Sequence, residues 1–108
     1  MRVEAFRGSK TGNKVYVVSK THDCSEAEQY GSLVYLTEGM LNPYAIGTLV
    51  SKMKGVLKHS KPDDWLLLNG LPTAQCIAMG ILASMHGSVN LLMFRKGKYI
   101  TRKAVFKK

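Results

Sequence analysis

Between Trp65 and Lys108 the chain contains no aspartate and no glutamate. The only neighbouring carboxylates, Asp63 and Asp64, stand at the start of an apolar run that reads as a strand, where alternation sends them to opposite faces. Paired-carboxylate chemistry is therefore disfavoured. Cysteine is scarce as well: Cys24 and Cys76 are too few for a zinc site and poorly placed for a disulfide, so both are expected as reduced thiols, with Cys76 a small core residue. His22, Asp23 and Cys24 adjoin each other, yet neighbours along a turning chain rarely aim at one another, which argues against a Cys–His nucleophile. His59 and His86 read as helix-end residues, and three scattered histidines do not make a metal centre. No Walker sequence and no GxGxxG fingerprint is present, so standard nucleotide cofactors are not expected. No apolar run approaches the roughly 20 residues of a membrane span. The opening MRVEAFRGSK has no apolar stretch after its charges, unlike a secretory signal. The expectation is a non-enzymatic protein without a cofactor, located in the cytoplasm and away from membranes.

Positive charge is what the chain has in excess. The formal net charge is +9, and Arg95, Lys96, Lys98, Arg102, Lys103, Lys107 and Lys108 crowd the C-terminal end. A field of this sign raises the local concentration of polyanions and speeds their association. The competing reading is a lysine-rich surface that serves solubility alone.

The pattern of elements is regular, and 108 residues leave room for one domain, residues 1–108. KVYVVSK, residues 14–20, reads as a strand, with residues 1–8 as a further edge strand before it. Residues 23–30 read as a short helix capped by Asp23 or Ser25 and stopped by Gly31. SLVYLT, residues 32–37, is a second strand. Asn42 and Pro43 then open a longer helix whose apolar positions Ile46, Leu49, Val50, Met53, Val56 and Leu57 recur at helical spacing. Residues 64–68 read as a third strand whose continuous apolar run after Asp64 suggests burial on both faces. Pro72 to His86 is a nearly all-apolar helix whose small residues Ala74, Ala78, Gly80 and Ala83 allow close approach to a sheet. Residues 89–94 and 99–106 are two more strands joined by the tight turn Arg95-Lys96-Gly97-Lys98. Together they predict a small three-layer α/β sandwich of Rossmann-like type, mostly parallel and closed by a C-terminal antiparallel hairpin.

Ligands of open α/β sheets collect at the C-terminal ends of the strands. This places a candidate ligand site at Asn69, Gly70, Thr73 and Gln75, with Thr37 and its neighbours Glu38 and Gly39, and Ser19 to His22, on the same edge. The alternative is an ordinary strand-to-helix connection. A second candidate, for nucleic acid, is the basic set Arg95, Lys96, Lys98, Arg102 and Lys103 with Tyr99 for stacking.

Tyr30-Gly31 before SLVYLTEG, then Asp64-Trp65-Leu66-Leu67-Leu68-Asn69-Gly70 with Pro72, VNLLMF and a closing hairpin, resemble small uncharacterised Rossmann-like proteins of tailed phages over roughly residues 27–106. The resemblance implies a phage or mobile-element origin and no particular chemistry. This chain departs from it in carrying Arg95-Lys96-Gly97-Lys98 where such proteins often place an acid. A looser likeness, at the level of fold alone, is to Rossmann-like nucleotide-sensor domains. The leading expectation is an accessory protein that binds nucleic acid without catalysis. The alternatives are a module that binds a host protein and a small-nucleotide sensor or sink. The apolar helix at residues 74–85 and six methionines add the expectation of a homodimer.

Overall fold

The computed structural model describes residues 13–20, 24–38, 42 and 44–107. Strand β1 (Lys14–Ser19) leads through a 3₁₀ helix (Ser25–Tyr30) to β2 (Ser32–Thr37). Helix α1 (Ile46–Leu57) then leads to β3 (Trp65–Leu67), and α2 (Pro72–His86) to the hairpin of β4 (Ser88–Arg95) and β5 (Lys98–Val105). The five strands form one sheet in the order β2-β1-β3-β4-β5. The first four are parallel and β5 is antiparallel to β4. The expected α/β architecture is the observed one, and the further edge strand expected at residues 1–8 lies outside the described residues.

Alternation along the strands divides the core into two layers. Tyr16, Val18, Leu36, Leu66, Val89 and Leu91 face α1 and α2, which bring Met53, Leu57, Ala74, Ala78 and Leu82 against them. Val15, Val17, Trp65, Leu67 and Leu92 face the other way, toward Cys24 and Ala27 around the 3₁₀ helix. β1 and β3 are thus buried on both sides, as continuous apolar strands in a parallel sheet must be.

Four expectations are corrected. The first helix is 3₁₀ rather than α, and the residue before it is Cys24, with no side-chain cap; Asp23 lies outside the described residues. The second helix begins at Ile46 and not at Pro43, because Asn42 caps a turn instead: its Oδ1 accepts from Tyr44 N at 2.9 Å and its carbonyl accepts from Ala45 N at 3.1 Å. That shift leaves Ile46 44% exposed, while Leu49, Met53 and Leu57 at successive turns are buried. Cys76 is exposed and Cys24 is the buried thiol. The inward stripe of α2 is Ala74, Ala78 and Leu82, so Cys76, two residues on from Ala74, is rotated about 200° away from the core. Gly80 lies on the outer side as well, with nothing within 4 Å of where a Cβ would stand, so only the alanines provide the close approach.

Candidate functional site

Strand order locates the crevice. From β1 the chain turns outward to β2, and from β3 it turns the opposite way to β4, so the switch point lies between the C-terminal ends of β1 and β3. Ser19 and Asn69 meet there. Asn69 Oδ1 accepts from Ser19 N at 2.9 Å, and Asn69 Nδ2 donates to Ser19 O at 2.8 Å. The side-chain amide therefore continues the β1–β3 ladder where the backbone of β3 has left it. Thr37 donates to Val18 O at 2.7 Å and lies 3.4 Å from Ser19 Oγ, which ties β2 to the same point. Gly70 follows with φ +77°, and a Cβ there would collide with the Ser19 side chain. Only glycine fits, on account of both the left-handed backbone and the approach.

Polar groups of the described residues at this crevice are consequently engaged with one another. Gln75 Nε2 donates to Gly70 O at 2.9 Å, folding back over the turn, and Thr73 is half-buried in the first turn of α2. Glu38 pairs with Lys20 at 3.6 Å, and the same Lys20 Nζ lies 5.4 Å from the centre of the Tyr35 ring. Thr37, Asn69, Gly70, Thr73 and Gln75 do gather at one edge, as expected. Asn69, Gly70, Gln75 and Thr37 are engaged there in holding the edge together. His22 and Gly39, expected on this edge, lie outside the described residues.

The hairpin stands beside this edge. Leu67 pairs with Leu92, so Met93, Phe94 and Arg95 run on past the last residue of β3, and the turn projects beyond the sheet. Lys96 and Gly97 both have positive φ, +52° and +79°, the type I′ geometry that matches strand twist. Register then sorts the basic residues. Arg95 faces Lys98 and Leu91 faces Arg102 on the side of α2, whereas Lys103 faces Asn90 on the side of the 3₁₀ helix, with Lys96 in the turn. The expected set forms a rim around the hairpin and not a patch on one face. On the side of Lys103, Phe94 pairs with Tyr99 at 5.1 Å between ring centres, Tyr99 lies 6.4 Å from Tyr30, and Tyr30 lies 5.5 Å from Trp65. Phe94 is 52% exposed. Sequence reasoning singled out Tyr99 and missed Phe94, although the two-residue turn already makes them cross-strand neighbours.

Charge is segregated among the described residues. Among the described residues the acids are Glu26 and Glu28 in the 3₁₀ helix, Glu38 after β2, and Asp63 and Asp64 before β3. Neither α1, α2, β4 nor β5 carries one. Asp64 is buried and accepts from Lys14 N at 2.9 Å and Lys61 N at 2.8 Å, whereas Asp63 is exposed. A second concavity, of about 350 Å³, lies between α1 and α2 and is lined by Lys54, Lys58, Ile81, Ser84 and Met85. No group of three His, Cys, Asp or Glu capable of holding a metal occurs among the described residues, and no helix there is long and apolar enough to cross a membrane.

No curated protein and no solved structure matches the chain. A family model does, over residues 10–104, and spans both the β3–α2 turn and nearly all of the hairpin. By that match the chain belongs to the phage Pam3 gp32-like protein family.

Proposed function

We propose that this phage protein binds nucleic acid, without catalysis, through the C-terminal hairpin. The observation that carries the reading is the segregation of charge: Arg95, Lys96, Lys98, Arg102 and Lys103 rim a projecting hairpin, and no carboxylate lies anywhere in α1, α2, β4 or β5 to neutralise them. Phosphates are attracted to such a rim, and each contact releases counterions. The strand-end crevice supports the same choice, since Asn69, Ser19 and Thr37 already satisfy one another there and leave the exposed hairpin as the better-placed surface.

Replacing the five basic residues by Gln tests the reading. They occupy the turn, the last position of β4 beside it and the edge strand β5, so the fold is retained, and the salt dependence of polyanion binding flattens by about 0.7–0.9 log unit per contact removed. Unchanged binding to single- and double-stranded nucleic acid refutes it. A host protein then becomes the leading partner, a role for which the exposed Phe94, Val105 and Phe106 are suited.

A further inference from the structure

We infer that the hairpin recognises unpaired bases: Phe94, backed by Tyr99, is a stacking step for single-stranded nucleic acid whose phosphates run along the basic rim. This rests on the polyanion reading and specifies its ligand. Phe94 projects from β4 close to the tip, directly opposite Tyr99, and the two rings meet at 63° with their centres 5.1 Å apart. Tyr99 is itself held from behind by Tyr30, at 72°, and through it by Trp65. The aromatic chain therefore runs from the core outward and ends in a positioned ring that is 52% exposed. An exposed phenylalanine gains nothing from water, whereas every base offers it a π-face.

Charge is complementary around this ring. Lys103 projects from the same side of β5, and Arg95, Lys96 and Lys98 surround the turn, so a backbone passing the tip meets cations before and behind the ring. The carboxylates of Glu26 and Glu28 lie on the 3₁₀ helix, which packs on β1 and β2, and they repel a strand that strays toward that end of the sheet. A duplex does not suit the arrangement, because its bases already stack on each other and show the ring only their edges.

The test compares probes of matched phosphate number by fluorescence anisotropy on the full chain at one salt concentration: a short oligothymidylate, a duplex of half its length, and inorganic polyphosphate. The expected result is oligothymidylate bound about tenfold more tightly than polyphosphate or duplex, a stacking contribution of ordinary size. Phe94→Leu removes that advantage while leaving polyphosphate binding and the circular dichroism spectrum of the folded chain unchanged. Equal affinity for the three probes, a preference for duplex, or a Phe94→Leu variant that keeps the base advantage overturns the stacking inference and leaves the polyanion reading standing. Failure to bind any of the three overturns both. A dimer in sedimentation that Phe94→Leu dissociates, without a base preference in the wild type, assigns the ring to self-association and overturns the inference as well.

Discussion

Two side chains at the ends of β3 explain why so short a strand, Trp65–Leu67, holds the middle of the sheet. Asp64 receives the amide of Lys14 where β1 begins, and Asn69 brackets both backbone groups of Ser19 where β1 ends. The run Asp-Trp-Leu-Leu-Leu-Asn-Gly is thus accounted for by pairing with β1, and Asn69, which reads in the sequence as a ligand residue, has a structural role. Its partner is fifty residues away, and no local pattern announces such a contact. Asn69→Ala leaves Ser19 N–H and C=O without these bonds and should lower stability by about 1–3 kcal/mol in urea unfolding. Tyr16 supplies a pH-dependent test at the same scale. Its phenol is pushed above the ordinary value of 10.0, first by burial and then by the negative charge of Asp64. The folded state therefore holds that proton more tightly than the unfolded chain. Stability is at its full value below about pH 10 and is lost as pH climbs from there through the raised folded value. Tyr16→Phe should flatten this alkaline limb when unfolding midpoints are compared across that window.

Among the elements, those with strong punctuation were legible and those that depend on a distant surface were not. Pro72 and Gly87 bound α2 as the sequence indicates, because a proline at the first helical position and a left-handed glycine after the last are local devices. Asn42 looks like the same device for α1 but serves a turn, and the helix begins only where Leu49, Met53 and Leu57 can reach the core. Cys76 was misplaced for a related reason: an apolar helix covers the sheet with one stripe, and composition does not say which. The hairpin turn carries its own prediction. Lys96 occupies a left-handed position, φ +52°, that asparagine adopts more readily. Lys96→Asn should therefore stabilise the fold by about 0.5–1 kcal/mol while weakening polyanion binding by one contact. Thermal unfolding and a salt titration on the same variant would register these changes in opposite directions.

At the scale of the molecule, the cationic C-terminal third was plain from the sequence. Its arrangement was not, because only strand register reveals that Arg95, Lys98 and Arg102 face one way and Lys103 the other. If the hairpin is the docking element, equal losses of charge are not equivalent. Replacing Lys52 and Lys54 of α1 and Lys58 at its C-terminal cap by Gln should weaken polyanion binding less than replacing Arg95, Lys96 and Lys98, as read by heparin elution or anisotropy at one ionic strength. Segregation of the carboxylates toward β2, the 3₁₀ helix and the start of β3 has one more effect. Among the described residues the cations of α1, β4 and β5 are displaced from the carboxylates, so the field of a nearby polyanion would exert a torque on this part of the molecule. Under the proposed binding, rotational search would be shortened, and the molecule would arrive with its hairpin already turned toward its partner.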